Sequence, residues 1–373
     1  MAGLYLHIPF CESRCIYCGF YSTVEESLIP PYIEALCKEI DLRPSPYIFN
    51  TVYLGGGTPS RLPLPLLGRI FQKIKTAYTV SADAEITLEC NPDDVTKEFV
   101  QSLKHLPVNR VSMGAQTFDD KRLAFLHRRH TSEQVKDAVS LLREAGIRNI
   151  SIDLIYGFPE ETMEEWHHDI QQALQLNVEH ISAYCLSVEE GTVLDRLVGQ
   201  GKVRPADEES CLAMYYHLMD LLKNAGYEHY EISNFAKPGY QSRHNSGYWD
   251  GSPYMGLGAA AHSYDIQTRQ WNVSDLKAYI HQVNEGLIPV EEREIIDMPT
   301  HYNDYVMTSL RTCEGIDIHY VAQQFPQQYM RYLQQQSEKH IGHHLLETQN
   351  HHLRLTKEAL FISDSIISDL MIV

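Results

Sequence analysis

The sequence has no apolar run approaching the ~20 residues needed to span a bilayer, and it has little positive charge. Its 373 residues carry 31 Lys and Arg against 49 Asp and Glu, a formal net charge of −18. That balance argues against binding nucleic acid or an anionic membrane by bulk electrostatics. No basic n-region followed by an apolar h-region opens the chain, so no secretory signal is expected. Internal repeats and low-complexity tracts are missing as well. Of the eight cysteines, Cys37, Cys90, Cys185, Cys211 and Cys313 stand singly. Scattered cysteines without a secretory signal are the usage of a reduced, cytoplasmic protein. What remains is ordinary globular composition, 43% hydrophobic and 21% charged, long enough for one large domain and a smaller one.

The other three cysteines, Cys11, Cys15 and Cys18, form a C-x3-C-x2-C run just after the apolar stretch Leu4–Ile8. Closely spaced thiolates surround soft metals and iron–sulfur centres. A structural zinc site wants four ligands, often two C-x2-C pairs, and no second pair follows. His7 is a conceivable fourth ligand but sits inside the apparent strand. A disulfide needs an oxidising compartment. The spacing ranks a cluster above zinc and a disulfide last. A [4Fe–4S] cube held by three cysteines leaves one iron open to a small molecule.

Six apolar, β-rich runs recur in the first half: Leu4–Ile8, Thr51–Leu54, Glu85–Glu89, Arg110–Met113, Ile150–Ile155 and His180–Leu186. Helical spacing fills the gaps at Tyr32–Leu42, Leu64–Tyr78, Ser132–Gly146 (with Ser132 as cap) and Glu161–Leu176. Alternating strands and helices predict βαβ units on a parallel sheet, and six units predict a barrel or a large part of one. Downstream, Glu208–Gly226 reads as a helix and Tyr227–Phe235 as a strand. A polar hinge near Glu291–Glu294 precedes a helical module with short strands at His352–Leu355 and Ala359–Ile362 and a final helix.

Polar or glycine-rich residues follow every strand, where parallel α/β barrels place their active sites. They are the cysteine loop, Gly55-Gly56-Gly57-Thr58, Glu89 with Asn91-Pro92, Gly114 to Thr117, Asp153 with Gly157-Phe158-Pro159, and Ser187. Glycines let a ligand approach bare backbone. Asp153 points inward if Ile152 and Leu154 point out, and a buried carboxylate needs a partner such as a ribose hydroxyl pair. Arg128 matters only if it reaches a ligand carboxylate; otherwise it is a solvated helix charge.

Together these features resemble the radical S-adenosylmethionine superfamily over roughly Leu4 to Leu186. The resemblance implies a partial (β/α)6 TIM-like barrel in which Cys11, Cys15 and Cys18 hold a [4Fe–4S] cluster. It further implies S-adenosylmethionine lined by Tyr5, Gly56, Gly57, Thr58, Glu89, Gln116, Arg128 and Asp153, with Tyr17 offering mainly backbone to the adenine. Within the superfamily the likeness is to oxygen-independent coproporphyrinogen III oxidases, carried by Gly55–Ser60, Glu89–Pro92, Ser112–Phe118, Asp153–Pro159 and Gly256–Ser263.

A second signature is Arg243-His244-Asn245-Ser246-Gly247-Tyr248-Trp249. A neutral imidazole is a good haem-iron ligand, and Tyr or Trp stacks on a macrocycle. On chemistry alone, a turn-capping His244 with Tyr248 and Trp249 in the core is the leading reading. However, His244, Asn245, Tyr248 and Trp249 match H-N-x-x-Y-W, the motif of the haem-binding HemW branch of that group. Oxidases carry a further cysteine two positions beyond the third, where this chain has Phe20, and a longer segment before the cluster. The resemblance therefore implies a haem chaperone, with oxidative decarboxylation as the alternative. It also implies haem-acceptor proteins as partners, peripheral membrane contact by analogy, and His244 as candidate iron ligand. The expected division is 1–225 for the partial barrel, 226–295 for a haem-motif extension packed on it, and 296–373 for a small, mainly helical, winged-helix-like module. Five late histidines (His340, His343, His344, His351, His352) read as surface residues.

Overall fold

A computed structural model describes residues 2–372. Its centre is six parallel strands in chain order: β1 (Ala2–Ile8), β2 (Ile48–Gly56), β3 (Thr79–Cys90), β4 (Arg110–Gln116), β5 (Asn149–Tyr156) and β6 (His180–Cys185). The helices that return the chain between them are α1 (Ile29–Leu42), α2 (Leu64–Ala77), α3 (Lys97–Leu103), α4 (Asp120–Phe125), α5 (Ser132–Glu144) and α6 (Met163–Gln175). Alternation explains the layering. Leu4, Leu6 and Ile8 of β1 are fully buried under these helices, while Tyr5 and His7 face the interior of the curved sheet. On β3 to β6 the inward set is Thr87, Glu89, Arg110, Ser112, Ser151, Asp153, His180 and Ser182, brought into rows by the register. The outer face is thus apolar and the inner face polar, the arrangement of a barrel that encloses a site.

The rest of the chain extends this sheet at both edges. After α7 (Val193–Gly199) and α8 (Glu208–Asn224), β7 (Glu228–Glu231) and β8 (Asn234–Ala236) add antiparallel to β6. Then α9 (Arg243–Trp249) leads to β9 (Tyr254–Leu257), which pairs parallel with β1, and to β10 (His262–Tyr264) and β11 (Thr268–Asn272). Helix α10 (Leu276–Asn284) precedes β12 (Val290–Ile295) at the far edge. The twelve strands run β12-β11-β10-β9-β1-β2-β3-β4-β5-β6-β8-β7, and no pairing of β12 with β7 closes them among the described residues. Residues 226–295 thus add strands to both edges of the sheet. The segment Gly256–Ser263 is held by one pair, Glu39 of α1 and Arg43 just past its end. Glu39 accepts from Gly258 N at 2.8 Å and Tyr279 OH at 2.6 Å. Arg43 donates to Gly256 O at 2.8 Å and Ser263 Oγ at 3.1 Å.

A separate core, built on Tyr302, Val306, Leu310, Val321, Leu333 and Leu353, gathers α11 (Met298–Leu310), α12 (Ile318–Gln324), α13 (Gln327–Gly342) and α14 (Ser363–Leu370). They surround a small sheet of β13 (Ile316–Asp317), β14 (Leu346–Gln349) and β15 (His352–Leu355).

Five sequence expectations need correction. Tyr227–Phe235 is a hairpin, not one strand, because the chain reverses at Ile232-Ser233. Glu291–Glu294 lies in edge strand β12, whose charged side chains point to solvent and blunt the open edge. Ala359–Ile362 belongs to a 3-10 turn. The cap of α5 is Thr131, which forms a capping box with Gln134. His340 is buried and bonds Asp369 at 3.1 Å, unlike its exposed neighbours His343 and His344.

Candidate functional site at the cysteine-loop end of the barrel

The loop after β1 is anchored from several sides. Gly57 N donates to Ile8 O at 2.9 Å and Thr58 N to Phe10 O at 2.8 Å. Glu12 pairs with Arg61 at 2.9 Å and also with Arg129, which reaches Asp93 at 2.7 Å. Cys11, Cys15 and Cys18 are unpaired and half-exposed. Burial pushes the Cys11 and Cys18 thiols up, and neighbouring cysteines of the trio add to this. Thr58 Oγ1 lies 3.5 Å from Cys11 Sγ, and Arg128 Nη1 lies 3.5 Å from Cys15 Sγ. Among the described residues no three His, Cys, Asp or Glu side chains converge on one ion position.

Around them stand the other strand ends. Arg128 is not a solvated charge: its Nη2 donates to Asn91 Oδ1 and to Gly114 O, both at 2.7 Å. Glu89 accepts from Tyr53 OH at 2.7 Å and from Gly56 N at 3.0 Å. Burial, with Asp153 adding to it, raises the Glu89 carboxyl to about 7; burial likewise raises Asp153 to about 6. Asp153 sits level with Ser182. Gln116 ends β4 with φ 67°, a left-handed conformation that a non-glycine residue adopts only when its surroundings impose it. Gly56 has φ +110°, and a Cβ there would stand 2.4 Å from the His7 ring. A Cβ on Gly57 would meet Pro9 backbone at 2.8 Å. Both positions require glycine, and bare backbone is left beside the loop. Tyr5, Glu89 and Asp153 point inward and keep part of their surface. Tyr17 is half-buried beside the loop. His7 bonds Tyr5 OH at 2.9 Å and Tyr21 O at 3.1 Å; it is a wall residue, not a fourth cysteine-site ligand.

The second signature is placed elsewhere. Helix α9 covers the opposite, N-terminal mouth. Its first turn is capped by Glu85, which accepts from Arg243 N and His244 N, each at 3.0 Å. His244, only 4% exposed, stacks on Tyr53 at 4.9 Å and reaches Thr51 Oγ1 at 2.8 Å and Tyr248 OH at 3.0 Å. Thr51 is five residues from Gly56 along β2, about 16 Å at the rise of a parallel strand. Burial, aided by Arg110, lowers the His244 imidazole to about 3, so it is neutral. A cavity of about 220 Å³ beside it is lined by His244, Tyr248, Gly3, Thr51 and Tyr254. Trp249 receives the Arg311 guanidinium at 5.4 Å, and its indole N–H is buried without a hydrogen-bond partner. Asn245 is half-buried on the same turn. His244 is thus buried inside the motif's helix, whose cap is Ser242, while Tyr248 and Trp249 keep part of their surface.

Sequence reasoning missed Glu85, Thr51, Tyr53 and Arg110. Arg110 is 1% exposed, with Nε and Nη1 unpaired. Its charge lies within electrostatic reach of Glu89, Asp153 and His244. Only its place at the first inward position of β4 would have marked it, since alternation turns Arg110, Ser112 and Gly114 to one face.

A six-stranded parallel partial barrel with a three-cysteine loop at the carboxyl ends of its strands defines a radical S-adenosylmethionine protein. The Radical SAM superfamily model matches residues 5–173, and the HemN C-terminal domain model matches 296–362. The coproporphyrinogen III oxidase HemN from Escherichia coli superposes with a TM-score of 0.86 at 22% identity, covering 99% of this chain and 90% of that one; this is likeness of fold. The heme chaperone HemW of Lactococcus lactis is 32% identical over 372 residues, 99% of this chain and 97% of that protein. The heme chaperone HemW of Bacillus subtilis is 36% identical over 321 residues, 85% of each. The chain belongs to the HemW family of haem chaperones.

Proposed function

We propose that this chain carries haem, holds a [4Fe–4S] cluster with S-adenosylmethionine at the opposite mouth of its barrel, and delivers haem to acceptor haemoproteins. The observation that carries the reading is the full-length similarity to heme chaperones, joined to a neutral His244 in a four-residue motif that forms its own helix. Cys11, Cys15 and Cys18 would hold the cluster, which supplies an iron open to the amino and carboxylate groups of S-adenosylmethionine. Arg128 offers its guanidinium to that carboxylate, Asp153 its oxygens to ribose hydroxyls, and Gly56 to Thr58 a backbone edge. Glu89, near neutrality, accepts or gives a proton according to what it faces. At the floor, His244 ligates iron by exchanging its Tyr248 bond for the metal. The reading places the work in the cytoplasm, with contact at the membrane, by analogy, where acceptors are membrane-bound; no helix among the described residues is long and apolar enough to cross a bilayer. The division at 225 and 295 stands as a proposal in which the middle part completes the sheet.

Oxidative decarboxylation of coproporphyrinogen is favoured only by the likeness of fold to HemN, and Phe20, 71% exposed, occupies the place of the fourth cysteine. The deciding experiment reconstitutes the protein anaerobically, titrates it with haem and assays it on coproporphyrinogen III. Haem binding without porphyrin turnover is expected; conversion to protoporphyrinogen would replace this reading with the other. Serine at Cys11, Cys15 or Cys18 should abolish iron–sulfur absorption, and a variant that keeps it fully would remove that residue from the ligand set.

A further inference from the structure

Two solitary cysteines of the sequence meet in space. Cys185 ends β6, and Cys211 lies in the first turn of α8, 26 positions later. Both thiols are free, and both crowd Gly157, the left-handed residue just after β5. A Cβ built on Gly157 would lie 2.9 Å from Cys211 Sγ and 3.1 Å from Cys185 Sγ, so the two sulfurs lie at most about 6 Å apart, each on the space a side chain would fill. Cys185 is half-exposed and Cys211 is buried, so a reagent reaches the first and not the second.

We infer that Cys185 and Cys211 are a dithiol site that a low-molecular-weight disulfide converts to an intramolecular disulfide, reversibly. The step is thiol–disulfide exchange. A thiolate of the pair attacks one sulfur of the small disulfide at the exposed Cys185 and releases one small thiolate. Cys211, having lost its proton to solvent, then attacks the Cys185 sulfur and releases the second. Two protons leave the protein, one S–S bond forms in it, and one S–S bond of the reagent is reduced to two thiols. The neighbouring Cys185 holds the Cys211 thiol below its ordinary value against the effect of burial, while Cys211 and burial push the Cys185 thiol up. The pair therefore gives up its first proton more readily than an isolated buried thiol, and the second less readily.

The consequence lies at the cofactor end. The residues after β5 are fixed by Glu161, which accepts from Gly157 N at 2.7 Å and Phe158 N at 3.0 Å, and by Leu186 N donating to Tyr156 O at 2.8 Å. A covalent link between Cys185 and Cys211 closes the gap in which Gly157 sits and braces the strand end that carries Asp153.

The test treats anaerobically reconstituted protein with glutathione disulfide, quenches it with an alkylating agent and maps peptides by mass spectrometry. The expected result is a Cys185–Cys211 cross-linked peptide, removed by dithiothreitol, with Cys37 and Cys90 free. In Cys211→Ser, Cys185 should accumulate as the stable mixed disulfide with glutathione. In Cys185→Ser, Cys211 should stay unmodified. Recovery of both thiols free from the wild type, or of a Cys185–glutathione adduct that Cys211 never resolves, would overturn the assignment. Iron–sulfur absorption measured on the same samples confirms that both serine variants are folded.

Discussion

At the scale of single residues, His244 carries the most testable chemistry. Its Nε2 is engaged by Tyr248 and its Nδ1 by Thr51, so iron ligation must first break a bond worth about 1 kcal/mol net. Tyr248→Phe removes that competitor, and haem affinity should rise about fivefold in a spectroscopic titration, while His244→Ala should weaken binding more than tenfold. Equal affinities in the wild type and both variants would mean that haem is ligated elsewhere. Glu89 gives a second prediction. Its folded value of about 7 and that of Asp153 near 6 lie above the ordinary range near 4. The folded protein thus binds these protons more tightly than the unfolded chain, and the stability they contribute is present at low pH and lost as pH rises toward 7. Glu89→Gln should melt at a temperature that drops less than the wild type's between pH 5 and 7.5 without cofactor. The cysteine trio was legible because ligand spacing is a local property of the chain. Glu85, Thr51 and Tyr53 were not, because their meaning comes from register against strands tens of residues away. Arg128 was legible only through resemblance; its contacts with Asn91 and Gly114 are tertiary.

At the scale of elements, the sequence pattern located the six parallel strands, missing only the first six residues of β3 by a wide margin, since a continuous apolar face is obligatory beneath packed helices. It failed where an element is short or sits at an edge. The β7–β8 hairpin reads as one run because its turn, Ile232-Ser233, lacks glycine and proline. Strand β12 reads as a hinge because an edge strand is dressed in charge. Helix α9 has only seven residues and could not persist alone. It depends on the Glu85 carboxylate at its first turn and on the Ser242 hydroxyl, which accepts from Asn245 N at 3.3 Å. Charge-assisted bonds to a buried carboxylate are worth about 2 kcal/mol. Glu85→Gln should therefore lower thermal stability by that order and weaken haem binding, leaving the iron–sulfur spectrum unchanged, because the cysteine loop lies at the other end of the strands. Loss of the cluster in this variant would contradict the separation of the two mouths.

At the scale of the whole molecule, two large apolar cores share one chain, with a small third cluster of Ile16, Leu126, Ile155, Phe158 and Leu194. The larger fills the space between the sheet and its helices, and the smaller belongs to residues from Tyr302 onward. They are bridged by a few polar contacts, Ile232 N to Arg311 O at 3.0 Å, Cys313 N to Tyr230 O at 3.1 Å and Lys357 with Asp220 at 2.7 Å, and by Leu360 and Phe361, which pack against the larger core, Phe361 lying 6.3 Å from the Tyr215 ring. Such a bridge is weaker than either core, so calorimetry should resolve two transitions. Reconstitution with S-adenosylmethionine present should raise only the one belonging to the larger core, because a ligand stabilises the unit that binds it. A single transition shifted as one would show that the cores unfold together.

The rings inside the barrel add a last property. From Tyr21 beside the cysteine loop, aromatic side chains follow one another through His7, Tyr5, His244, Tyr248 and Tyr254, with centroids 4.8 to 6.4 Å apart. Each ring is held at a fixed angle to the next in a chiral enclosure, so the row is a built-in optical reporter. A rearrangement of His244 at the floor must disturb the near-ultraviolet circular dichroism of tyrosines that reach the opposite mouth, and the two ends of the protein can be watched in one spectrum without attaching a dye to either.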